Sequence, residues 1–428
     1  MTTTNDYGSG TGQRPEIDRS RANEQALELL FTSDPVLVDV LPALEALPGM
    51  TKETILTSGP PLAWAEYTGG QRAGIIGGVL YEGLASDPAE AERLLERGDV
   101  RVAGCHDFDC VGSLAGITTA SMPVLAVRDA TSGNRGHCTL FEGAAPDRLN
   151  YGVYNDGVRQ NLEYLADVIG PLLGEVVRSV QGGIRLRPIM ERALRQGDEL
   201  HSRNTAASGL FLKRILPGLL DLDGARARTL VSYLTSDDYF FLRASMAASK
   251  SMADRMYGAD GASIVTAMSF SCKEFGIRVA GLGTRWFRGP LPEIETAHFL
   301  PGRGRDEIEL MGGESLITEV CGLGAFAQAA AFPLQAYQGG PEVMIRRNLD
   351  MYEITAGVHP SFLIPYFGYR GTPTGIDIAR VVATGIAPAL DVGIAGKGGG
   401  QIGAGSFRAP LQPFADAWAA YRRLFSHP

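Results

Sequence analysis

Hydrophobic positions run along nearly the whole chain from Asn23 onward, and their spacing changes character along it. Ala26, Leu27, Leu29, Leu30 and Phe31, then Val36 to Leu47, read as helices interrupted at Asp34-Pro35 and Pro48-Gly49, where proline and glycine break the pattern. Gly74 to Leu80 is an apolar glycine-rich stretch that reads as buried. Asp87 to Arg97 carries the charges of an exposed helix entered through Ser86-Asp87-Pro88. Val124 to Val127 predicts a short strand, and Thr131-Ser132-Gly133-Asn134 a turn into the next one. From Leu162 to Gly258 the spacing is helical. Strand character returns at Ser263–Met268 and Gly276–Ala280, an antiparallel pair across Ser271 to Glu274, and the rest is glycine-punctuated α/β.

The pattern predicts an α+β (mixed α/β) protein with two α/β domains flanking a small helical one. The expected divisions are a polar, disordered tail over 1–20, an N-terminal α/β domain over 21–160, a helical domain over 161–258 and a C-terminal α/β domain over 259–428. A chain of 428 residues exceeds what one hydrophobic core usually serves.

Composition narrows the function. A net charge of -9 leaves no broad basic surface for phosphate neutralisation, so nucleic acid is not an expected partner. No stretch is long and apolar enough for a membrane span, and the N-terminus lacks the apolar core of a signal peptide. The five cysteines, Cys105, Cys110, Cys138, Cys272 and Cys321, make neither a CxxC motif nor a disulfide framework, which fits a reducing cytoplasm. The 54 glycines imply tight turns and close backbone approaches.

Candidate chemistry gathers in a few segments. Gly104 to Gly116 places His106 among Cys105, Asp107, Asp109 and Cys110, where an imidazole can carry a proton or hold a polar substrate, or sit on a glycine-rich turn. Gly197 to Thr205 follows the helical stripe of Met190, Ala193 and Leu194. Continued as a helix, it turns Asp198 and His201 inward, with Asp198 orienting the imidazole. The structural alternative is a solvated helix end with a Glu199–Arg203 pair. Ser236 to Phe241 reads as a capped helix with a core-facing aromatic stripe, Lys250 as a surface partner of Asp254, and Glu274 as a turn residue with an open role. Gly312 to Gly324, with Glu314, and Gly393 to Gly405, with Lys397, Gly399 and Gln401, are loops whose amides could cradle an anion or simply pack closely. Neither has the ending of a Walker A loop or the spacing of a dinucleotide fingerprint.

Taken in order, Ser58-Gly59-Pro60-Pro61, Tyr81-Glu82-Gly83, His106 with Val111-Gly112, Ser121-Met122-Pro123, Glu142-Gly143, Gly197-Asp198-Glu199 with His201, Arg203 and Asn204, and Gly371 to Asp377 resemble the YlbE-like family over roughly residues 25–415. The resemblance implies the three-part architecture above and a role beside an FdrA-like protein in an oxamate carbamoyltransferase. Where that family has Asn-Pro-Asp-Ile-Gly-Asp-Ser, this chain has Glu309 to Ser315, which exchanges two polar positions.

The expected activity is attack by an amine, phosphate or water on a carbamoyl, ureido or amide carbon, with a hydrolase of cyclic amides, imides or ureides and a non-catalytic scaffold as alternatives. His106 and His201 are the candidate proton carriers, Asp198 the orienting group and Glu314 a base or metal ligand. Arg203, Lys397, Gly399 and Gln401 are expected to hold anionic groups, and Asn204, Glu142 and Glu274 polar ones. No cofactor is called for, although the His/Asp/Glu inventory admits a divalent metal. The expected partners are a small amide, ureide or carbamoyl phosphate, an FdrA-like subunit and further copies of the chain.

Overall fold

The computed structural model describes residues 18–425. The expected tail lies outside them except for its last residues, where Asp18 caps the helix Arg19–Phe31 by accepting from the Arg21 amide.

The fold is mixed α and β. One antiparallel sheet has the spatial order Arg135–Thr139, Pro123–Asp129, Pro35–Pro42, Ile184–Arg185. Pro35–Pro42 corrects the helix expected from Val36 to Leu47. Val36, Val38 and Val40 are stiff at χ1 and favour the pleat, both prolines sit at strand ends where their missing donor costs least, and only one helical turn, Ala43–Ala46, follows. Across this sheet lies the helix Phe240–Ala253, every residue of which is buried.

The glycine-rich stretch near residue 74 is a helix, Gly69–Tyr81. Its glycines let the Leu149–Tyr151 turn approach: a Cβ on Gly77 would stand 2.6 Å from a Leu149 methyl. The helix Pro88–Arg97 is as expected, capped by the Asp87 carboxylate and ended by Gly98 in the left-handed region. The middle of the chain is helical throughout, except that Ile184–Arg185 crosses to pair with the first sheet.

Val265–Phe270 and Phe275–Val279 form the expected antiparallel hairpin, closed by the Ser271 amide donating to the Glu274 carbonyl. A second four-stranded sheet has the order Glu293–Phe299, Gln401–Arg408, Ala389–Gly396, Ile308–Glu309. The glycine-rich segment 393–405 is therefore a hairpin rather than an open loop.

The largest core runs from Ala22 to Tyr421 and joins the first helix, the helical middle and the C-terminal strands, while most of residues 43–110 pack into two smaller clusters. The first helix docks beside residues far downstream: the Ser263 amide donates to Asn23 Oδ1 at 2.8 Å, and Arg19 pairs with Asp377. Among the described residues no helix is long and apolar enough to cross a membrane, and all five cysteines are free.

Candidate functional site

A partly open cavity of about 140 Å³ lies between the buried helix, the Arg148–Tyr151 segment and the C-terminal hairpin. That is room for several waters or one small organic acid. His201, Arg148, Arg243, Gln401, Ser113 and Ser315 line it.

Two guanidinium groups give the cavity its sign. Arg243 projects from the buried helix and is 4% exposed; its only side-chain contact is a long one from Nη1 to the Cys138 sulfur, and its Nε has no partner. Arg148 donates to the Gly143 carbonyl and the Gln401 side-chain oxygen, lies over the Tyr151 ring, and likewise leaves Nε unpaired. Among the described residues neither forms an ion pair with a carboxylate, so both charges face an interior that holds little to balance them. Asp237 at the edge is the cavity's one lining carboxylate, and it accepts from the Tyr239 amide at 2.8 Å.

His201 supplies the titratable group. Its Nδ1 stands 2.8 Å from Glu319 Oε1 and 3.2 Å from the Thr318 hydroxyl, which leaves Nε2 as the free ring nitrogen. Burial opposes the charged ring, but Glu319, with Asp391 and Glu199 behind it, outweighs that and raises the pKa to about 9. At neutral pH the ring is an imidazolium held as a donor. Burial raises Glu199 to about 8, and its carboxylate accepts from the amides of His201, Ser202 and Arg203, which fixes the turn.

That turn corrects the sequence reading. The helix stops at Leu194, Gly197 and Leu200 take positive φ, and the chain folds back, so His201 is buried by a turn and not by a helical stripe. Asp198 does not orient it. Burial raises the Asp198 pKa to about 6, and its carboxylate accepts from the Ala207 amide and pairs with Arg203 at 3.5 Å. Arg203 is thereby occupied. Asn204 donates to the His201 carbonyl at 2.9 Å and steadies the turn.

The other expected residues divide between support and surface. Glu142 accepts from the Leu149 and Asn150 amides at 2.7 and 3.1 Å, which positions Arg148 and Tyr151. Glu314 lies behind the cavity: it ties Gly59 to Gly112 by accepting from both amides, and burial raises its pKa to about 8. Gln401 reaches the cavity, while Lys397 is exposed at the hairpin tip. The amides expected to cradle an anion there are already spent: Gly399 donates to Gly396, Gly400 to Tyr151 and Lys397 to Glu307. Glu274 pairs with Arg288 on the far hairpin. Lys250 is buried and not a surface residue, although it does pair with Asp254, at 2.6 Å. His106 lines a separate cleft, so the two histidines do not share a site. No group of three or more His, Cys, Asp or Glu among the described residues is arranged to hold a metal ion.

The family model for "Oxamate carbamoyltransferase subunit AllG" matches residues 100–315. The protein carrying that name in Escherichia coli K12 is 37% identical over 408 residues, covering 94% of this chain and 97% of its own. The chain belongs to the AllG family. The AllG match bears out the resemblance to an oxamate carbamoyltransferase subunit, while the YlbE-like label itself is not confirmed. Another relative is YahG of Escherichia coli K12, an uncharacterized protein 38% identical over 401 residues, or 92% of this chain and 84% of YahG. A similar architecture is seen in the crystal structure of a conserved protein of unknown function from Enterococcus faecalis V583. It superposes with a TM-score of 0.92 at 34% identity, covering 95% of this chain and 98% of that one.

Proposed function

We propose that this chain is the substrate-binding subunit of a carbamoyltransferase of the oxamate type, and that the cavity around His201 holds a small carboxylate next to the carbon that changes hands. The observation that carries this reading is the pair of buried guanidinium groups, Arg148 and Arg243, without carboxylate partners beside His201. Guanidinium groups match planar carboxylates through paired N–H donors and stay charged at any working pH. The loop that departs from the expected family pattern leaves the pocket intact. Glu309 accepts from the Gly70 amide and Met311 packs against Gly70, while Ser315 alone of that loop lines the cavity.

In the direction that releases oxamate, phosphate attacks the ureido carbon, the C–N bond breaks, and the departing amide nitrogen takes a proton from His201 Nε2. In the reverse direction the oxamate nitrogen attacks the carbamoyl carbon, phosphate leaves, and the proton returns to His201. Glu319 is a positioning residue that fixes which ring nitrogen faces the substrate. The family name makes the chain one subunit among several, so an FdrA-like partner belongs to this proposal.

Calorimetric titration of the purified chain with oxamate, paired with carbamoyl transfer assayed in the assembled complex, tests it. Arg243→Gln should weaken oxamate binding tenfold or more, roughly what one charged hydrogen bond contributes, and cut transfer accordingly. Full transfer by a complex carrying Arg243→Gln would overturn the assignment, and transfer without any oxamate binding to the native chain would make this subunit a scaffold.

A further inference from the structure

A second cleft, of about 530 Å³, opens further along the buried helix. His106, Lys250, Arg278, Asp109, Asp254 and Asn134 line it. His106 is 5% exposed, and neither ring nitrogen has a hydrogen-bond partner. Buried imidazole nitrogens are seldom left so, because each forfeits a bond it would make in water. Burial first, and then Lys250 and Arg278, hold the ring's pKa well below its ordinary value. The ring is therefore neutral, with one nitrogen donating and one accepting.

The remaining groups are rich in spare donors. Lys250 Nζ donates to Asp254 at 2.6 Å and to the His106 carbonyl at 3.3 Å, which leaves its third proton unassigned. Arg278 pairs with Asp107 through Nη2 and leaves a buried Nε without a partner. Asp254 and Asp107 are each neutralised by these pairs, Asp109 contributes the remaining negative charge, and Arg135 is a further cation of the lining. Trp286 packs against two of the lining groups, its ring 5.5 Å from that of His106 and 4.4 Å from the Arg278 guanidinium. The cleft is distinct from the His201 cavity, since Lys250 follows Arg243 by seven residues, about 10 Å along the helix they share.

We infer that this cleft is a second binding site, for a small carboxylate that also carries an amide: the carboxylate takes the spare donors of Lys250 and Arg278, and the amide meets the donor and the acceptor of His106. The inference stands on the cleft alone and does not need the assignment made for the His201 cavity.

Trp286 reports on the site, so tryptophan fluorescence of the full chain titrated with oxamate, acetate and inorganic phosphate is the test. Oxamate should give a saturable change that disappears in Trp286→Phe, weakens roughly tenfold or more in His106→Ala and Arg278→Gln, and persists in Arg243→Gln. Acetate, which has no amide for His106, should bind roughly tenfold more weakly than oxamate. Circular dichroism checks that each variant is folded, and Lys250→Met replaces any that is not. The inference fails if the native chain gives no saturable change, if the His106 and Arg278 variants respond like the native chain, or if acetate or phosphate matches oxamate. Calorimetry with oxamate should show two binding events in the native chain and one in Arg243→Gln, with the Trp286 response intact, which would separate this site from the first.

Discussion

The charge on His201 is set by a carboxylate it touches, and this makes the site sensitive to alkali. With the folded pKa near 9 and an ordinary value of 6.5, the ring's contribution to stability is complete below about pH 6.5 and is lost as pH rises through about 9. Glu314 acts in the same direction: burial raises it to about 8 from 4.5, so the folded state keeps a proton that the unfolded state gives up, and stability falls between those values. Melting temperature should therefore drop from pH 6 to pH 9 by about several degrees. In Glu319→Gln, imidazole NMR should show the His201 pKa falling to about 6.5 or lower; a value still near 9 would mean that Glu319 is not its cause. Some of this site was readable from residue types, because His201, Asp198, Glu142 and Gln401 stood out as polar groups inside apolar sequence. Arg243 did not stand out. It lies in a stretch of phenylalanine, alanine and methionine that reads as core, and only the tertiary arrangement shows that one face of that core is a cavity.

Among the elements, the sheet strand Arg135–Thr139 lies unusually close to the buried helix. A Cβ on Gly136 would stand 2.0 Å from the Ala247 carbonyl oxygen, a backbone atom that cannot swing away. Gly136→Ala should cost about 1–3 kcal/mol in urea unfolding, and because the helix carries both Arg243 and Lys250, it should weaken ligand binding as well. An unchanged unfolding midpoint would show that helix and strand can separate freely. Elements with strong local signals were legible, namely the helix opened by Asp87-Pro88 and the hairpin turning at Ser271 to Glu274. Val36 to Leu47 was misread because its hydrophobic run suits either period, and pairing on both sides by distant strands decides for the strand. Gly393 to Gly405 was misread because glycine is compatible with both a loop and a closely packed hairpin.

For the molecule as a whole, the junction of its first helix with its last third holds distant parts together. Asn23 bonds Ser263 by both backbone and side chain, 240 residues away. Asn23→Ala should cost about 2 kcal/mol, since it leaves a buried amide without its acceptor, and the loss should appear in the main unfolding transition. A separate early transition confined to the C-terminal region would contradict that expectation. The mixture of α and β was visible in the changing period of hydrophobic residues, whereas this junction was not, because nothing local marks which serine an asparagine will meet. The buried helix Phe240–Ala253 shows what such long-range packing imposes. With all of its residues enclosed, it has no solvent-facing side on which substitutions can accumulate harmlessly. A comprehensive substitution scan should find it intolerant along its full length, whereas the Pro88–Arg97 helix, with Ala91 and Leu95 as its buried positions, should tolerate change on every turn that faces water.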